Sequence, residues 1–300
     1  MRRTLGAVRN ALLALTLLLL LTVSAGCGGE DDESAGGGTT TTEASCDKGS
    51  LDLVTPGQLT IGTDNPAFPP WFEGTKKFDP WDPTTTPTKK GYEAQVAYGI
   101  AHQLGFTDDE VKWMAVPFLQ AFKPGSKKFD FDINQISFKP ERAEAVDFSD
   151  SYYDVEQAIV GLESNPIANA KSIDDLKARK LGAVVGTTSL EAINDKIEPD
   201  KDPSVYDTNN DVLSAITAKQ IDAGVVDFPT ALYMAAVQLK GGTVVGRLAA
   251  EEGGEHFGVV LQKDSGLTEC VNDAITALHE DGTIDRLAQK WLSGSAPVLE

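Results

Sequence analysis

A hydroxyl and a guanidinium five residues apart, with a proline-led turn between them, suit the gripping of a small anion. Ser137 and Arg142 have that spacing around Lys139-Pro140, inside the stretch FDFDINQISFKPERAEAVDFSDSYY that runs from Phe129 to Tyr153. Proline is favoured in the first turn of a helix, where its missing N–H leaves no bond unmade. Pro140 therefore marks a helix start with free backbone amides beside Arg142. Such a start carries partial positive charge, and Arg grips a carboxylate through two parallel hydrogen bonds. Arg142 is read as the holder of a ligand carboxylate. The competing reading is a solvated helix face on which it pairs with Glu141, Glu144 or Asp147. A second anion site follows the apolar run Leu181–Val185, where Gly186-Thr187-Thr188 opens another helix with hydroxyls and free amides. Its alternative is a plain N-cap. Asp227 ends the run Ala223–Val226; in open α/β sheets ligands gather at carboxyl ends of strands, and an N-cap role is compatible with that position.

Those groups need strands that stop at a common edge. Leu59–Thr63 reads as a buried strand, followed by a proline-stiffened loop that displays Asp64, Phe68, Trp71 and Phe72. Aromatic rings on a rigid loop make a wall for an organic side chain, although Trp71 and Phe72 read equally well as core anchors. Ala94, Ala97, Tyr98, Ala101 and Leu104 keep helical spacing up to Gly105. Val111–Val116 is the next strand, with Phe118 just past its end, and Phe129, Phe131 and Ile133 alternate into the polar group Asn134, Gln135 and Ser137. Strands and helices then alternate through Leu239 in the manner of βαβ units.

The run Ile136-Ser137-x-x-Pro140-Glu141-Arg142, followed by Val146-Asp147-Phe148-Ser149-Asp150 and Tyr152-Tyr153, resembles the signature of the family 3 extracellular solute-binding proteins, amino-acid receptors of ABC importers. The resemblance implies an α/β periplasmic-binding-protein-like fold of two lobes joined by two crossover strands. It implies that Arg142 and Ser137 take the α-carboxylate of an amino acid from one side, and Thr187 and Thr188 from the other. Asp227 then pairs with the α-ammonium, Phe68 is the lid with Trp71 near it, Asp64 is the acid that meets a polar side chain, and Phe118 falls where the family has a pocket residue; Gln135 is counted with them as a ligand-binding residue. Asp132 and Gln135 stand where small or apolar residues are commoner in the family. The strand Gln157–Leu162 is expected to cross between lobes and His256–Leu261 to return. The expected segments are lobe one over 51–156, lobe two over 157–258 and a return to lobe one over 259–300.

The formal charge of −19 argues against a nucleic-acid binder, which would concentrate Lys and Arg on one face. Arg2, Arg3 and Arg9 precede an apolar run and the small residues Ser24-Ala25-Gly26 before Cys27. That resembles a lipoprotein signal peptide over 1–26, with Cys27 carrying lipid and the body held outside the cytoplasm at the cell membrane. Residues 27–50 read as a disordered tether. Cys46 and Cys270 invite a disulfide in that compartment. His102, His256 and His279 are scattered, so no metal or other cofactor is expected.

The function expected is therefore capture of a free amino acid between two lobes and delivery to an ABC permease, with no catalysis. The rival is a cyclohexadienyl or arogenate dehydratase-like enzyme on the same fold. The Pro-, Thr- and Lys-rich insertion over 73–90 has no assigned role.

Overall fold

A computed structural model describes residues 45–65, 67–73, 89–250 and 253–300. The expected signal peptide, Cys27 and all but the last residues of the expected tether lie outside them, as do residues 74–88 of the insertion.

The first half of the chain supplies β1 (Leu59–Thr63), β2 (Val111–Ala115), β3 (Phe131–Asp132) and β4 (Val146–Phe148). After β5 (Tyr153–Val155) come β6 (Gln157–Leu162), β7 (Leu181–Val184), β8 (Ser204–Tyr206), β9 (Ala223–Asp227) and β10 (Gly242–Leu248), then β11 (Glu255–Phe257), β12 (Val260–Gln262) and β13 (Val298–Leu299). They form one sheet of order β2-β1-β3-β12-β4, a second of order β13-β10-β6-β9-β7-β8, and a two-stranded ribbon β11-β5. The two larger sheets are the centres of the two lobes, and the antiparallel ribbon carries the chain between them.

Both sheets are buried on both faces, which is why their central strands read as apolar runs rather than as alternating ones. In β6, Ile159 packs into one apolar layer of lobe two while Ala158 and Val160 pack into the other. The expectation that Gln157–Leu162 crosses between lobes is thereby corrected: its side chains are committed to the two layers of one lobe, and the crossing is made by β5, just before it. On lobe one, Ile61, Phe131 and Ile133 face a large layer shared with the helices, and Val116, Ile136, Val146 and Val260 form a smaller one behind.

The helices are α1 (Tyr92–Gln103), α2 (Phe118–Ala121), α3 (Pro140–Ala143), α4 (Asp174–Lys177), α5 (Thr188–Ala192), α6 (Asn209–Thr217), α7 (Phe228–Tyr233), α8 (Thr268–Glu280) and α9 (Thr283–Trp291). Gly91, at the start of α1, has φ of 104°, and a Cβ there would meet Trp71 O at 2.2 Å. Only glycine allows that close approach. Gly282, with φ of 71°, separates α8 from α9 as its sequence position suggests.

Two boundaries differ from the sequence expectation. Residues 45–50 are folded onto lobe one rather than belonging to a tether. Cys46 is bonded to Cys270 of α8, Lys48–Ser50 form a short 3₁₀ turn, and Lys48 pairs with Glu110 at 2.6 Å. The C-terminus does not stay in lobe one. Leu292 is in lobe one's core, but Leu299, 1% exposed, lies in lobe two's, and β13 pairs with β10. Arg247 fixes this third passage: its Nε donates to Ala296 O at 3.1 Å, its backbone N to Pro297 O at 2.7 Å, and its guanidinium pairs with Glu156, between β5 and β6.

Candidate functional site

The parallel strands of the two lobes end facing one another, and a cavity of about 160 Å³ lies between their ends. From lobe one it is lined by Asp64 and Phe68 after β1, Phe118 at the start of α2, and Gln135, Ser137 and Arg142 after β3. Lobe two contributes Gln157, Thr187, Thr188 and Asp227.

Arg142 turns inward and is only 8% exposed, so it does not sit on a solvated helix face. Its Nη1 donates to Ser137 O at 2.7 Å and its Nη2 to Gly186 O at 2.9 Å, which ties lobe one to lobe two. The guanidinium lies over Phe122 at 4.5 Å and Phe118 at 5.7 Å. Burial lowers its pKa, yet a guanidinium stays charged in proteins, and two of its five donors are used by these carbonyls.

Gln135 has φ of 47°, in the left-handed region, a conformation that costs about 1–3 kcal/mol for a residue with a Cβ unless its surroundings impose it. Glu93 imposes it: Oε1 accepts from Gln135 N at 2.7 Å and Oε2 accepts from Gln135 Nε2. The Tyr152 hydroxyl donates to the same carboxylate. Burial pushes Glu93 up to about 7, against the lowering effect of these donors.

On lobe two, Thr187 caps α5: its Oγ1 accepts from Leu190 N at 3.2 Å and donates to Val184 O at 2.7 Å. Asp227 caps α7, accepting from Thr230 N at 3.0 Å, while also lining the cavity. Its carboxyl is raised to about 6, chiefly by burial. Both expected binding residues are thus helix caps as well.

Glu255, on β11, gathers the hydroxyls. Its Oε1 accepts from Ser137 Oγ at 2.5 Å and Thr188 Oγ1 at 2.6 Å, and its Oε2 from Gln157 Nε2 at 3.0 Å. Gln157 Oε1 in turn accepts from Ser189 Oγ at 2.7 Å. The sequence reading did not select Glu255, Gln157, Asn134 or Glu93 as site residues. The one signal for Glu255 was an acid entering the returning strand directly after Gly253-Gly254.

Trp71 is corrected. It does not line the cavity but is 1% exposed, edge-on to Tyr92, Tyr153 and Phe257. Its Nε1 donates to Thr230 Oγ1 at 2.9 Å, so it is a core residue that bridges the lobes beside the Asp227 cap. Among the binding residues named from sequence, the rest line the cavity.

The chain matches the family described as bacterial extracellular solute-binding proteins, family 3, over residues 59–294. It is 30% identical over 251 residues to the L-cystine-binding protein TcyJ of Escherichia coli (strain K12), covering 82% of this chain and 86% of that protein. It is 27% identical over 207 residues to the arginine-binding extracellular protein ArtP of Bacillus subtilis (strain 168), covering 68% of this chain and 78% of that one. Among solved structures, an ancestral arginine-binding protein bound to arginine superposes with a TM-score of 0.64 at 30% identity, over 79% of this chain and 99% of that chain. AncCDT-1, an ancestral amino acid-binding protein described as a precursor of cyclohexadienyl dehydratase, gives a TM-score of 0.63 at 26% identity, over 79% and 96% of the two chains.

Proposed function

Since the chain belongs to the family 3 bacterial extracellular solute-binding proteins, we propose that it captures a free α-amino acid in the cleft between its lobes and hands it to an ABC permease. Arg142 takes the α-carboxylate with Ser137 and Thr188 beside it, and Asp227 takes the α-ammonium. The observation that carries this reading is that the Arg142 guanidinium of lobe one and the Asp227 carboxyl of lobe two line the same cavity. A zwitterion that bridges them favours the closed arrangement, because only there do both ends find partners. The closed shape is what a permease would recognise. Before the described residues, Cys27 supplies the lipid that keeps the body at the outer face of the membrane.

A thermal-shift screen of the proteinogenic amino acids tests the reading. A ligand that binds only the folded state raises its melting temperature; a screen with no shift from any amino acid removes the proposal.

A second reading, dehydration of a cyclohexadienyl substrate, is favoured by Asp227. Its carboxyl lines the cavity with a pKa of about 6, near the range in which an acid donates a proton efficiently at neutrality. Incubation with prephenate or arogenate decides it: without aromatic product, this reading is dropped.

A further inference from the structure

Lobe one keeps polar atoms buried without partners next to the cavity. Among the described residues, both carboxylate oxygens of Asp132, Nδ2 of Asn134 and Oγ1 of Thr63 are buried and make no hydrogen bond. Asp132 is fully enclosed at 0% exposure. It pairs in register with Gly62 across the parallel ladder. The period of two along a strand then puts Asp64 with Gly62, and Asn134 with Asp132, on one side of the sheet end. Asp64 and Asn134 line the cavity.

The sequence makes room for this carboxyl. A Cβ at Gly62 would come within 2.4 Å of Asp132 Oδ2. An unpaired buried carboxyl destabilises a fold, and Val116, which lies on the same side of Gly62 as Asp132, shows that apolar side chains pack on this face. Its presence asks for a partner that the described residues do not supply.

We propose that Asp132 is a specificity-determining residue that makes the cavity select an amino acid with a positively charged side chain. This rests on the amino-acid reading above and narrows it. Asp64 meets the cation from the cavity wall, and Asp132 supplies negative potential from behind that wall. Gln135 contributes in the same sense. Glu93 holds its Nε2, so the end left free is the acceptor Oε1. One group argues the other way: Asn134 Nδ2 is a donor and would suit a carboxamide or ureido end.

The charged groups around Asp132 are Glu93 on α1 and Asp64 after β1, which repel its charge, and Lys127 before β3, which favours it. Burial, then the two acids, hold its carboxyl well above the usual carboxylate range.

Calorimetry on the full-length protein tests this with arginine, lysine, citrulline and glutamine as probes. Arginine and citrulline share a shape and differ in the charge of the end group. The expected result is arginine or lysine bound more tightly than citrulline or glutamine by at least about tenfold. Asp132→Asn should bring arginine to within a few-fold of citrulline; circular dichroism checks that the variant folds. A wild-type preference for citrulline or glutamine overturns the inference, and so does an arginine-to-citrulline ratio unchanged in Asp132→Asn. The wild-type ratio serves as a test even if the variant fails to fold. Tight, Arg142-dependent binding of a neutral amino acid would sink this inference alone, whereas no binding of any amino acid would sink the amino-acid reading with it.

Discussion

The two walls of the cleft are built in different ways. On lobe two, Thr187 and Asp227 each bond to the backbone N–H three residues ahead, so each polar group is satisfied within its own turn. On lobe one, Gln135 is held by Glu93 from 42 residues away, and Asp132, Asn134 and Thr63 keep unpaired buried atoms. Local capping forms wherever the strand and helix form. The lobe-one wall exists only once α1, β1 and β3 have come together, and it carries the unsatisfied groups that a ligand could relieve. Lobe two thus offers a ready-made half-site, and lobe one a conditional one.

The sharpest way to break this contrast is to remove one charged partner from each wall. Arg142→Ala should weaken amino-acid binding by about 2–5 kcal/mol, the range for truncating one member of a buried charge pair. Asp227→Asn should weaken it less, because the cap on α7 survives and the amide still accepts a hydrogen bond. Calorimetric titration checks both, and equal affinity in Arg142→Ala and wild type would take Arg142 out of the site.

A smaller effect is expected from pH. In the fold Glu93 holds its proton up to about pH 7, against an ordinary value of 4.5. Between those values the folded chain binds more protons than the unfolded one, so stability falls as pH rises through that window. The full penalty is about 3 kcal/mol. Urea midpoints at acid and at mildly alkaline pH should show that slope, and Glu93→Gln should reduce it, leaving the part that the raised Asp227 carboxyl contributes. A slope unchanged in Glu93→Gln would mean that the strain lies elsewhere on lobe one.

The smallest change probes lobe two. Thr187→Ala removes one cap and should lower stability by about 1 kcal/mol, read by thermal unfolding, with no change in the pH slope that belongs to Glu93.

The same contrast explains what the sequence made legible. Gly186-Thr187-Thr188, Pro140 with Arg142, and Asp227 at a strand end are local patterns whose neighbours in sequence are their neighbours in space. The strands β1, β2 and β9 were legible for the same reason, as apolar runs of the right length. Glu255 was not, because its partners Ser137 and Thr188 lie 118 and 67 residues away. Trp71 misled because a proline-stiffened aromatic loop looks alike whether it faces a cavity or a core. Here its indole finds Thr230, 159 residues on, a partner no spacing rule indicates. The return of β13 to lobe two was equally hidden, since two residues paired with β10 leave little periodic trace.

That return changes how the jaws can move. Two adjacent strands alone behave as a ribbon, free to wring as well as to flex. With the C-terminal strap stitched to Glu156 and β10 through Arg247, the joint acts more like a leaf spring, stiff in torsion and soft in one direction. The lobes should then swing along a single arc, so that Arg142 meets Gly186 in the same alignment at every closure.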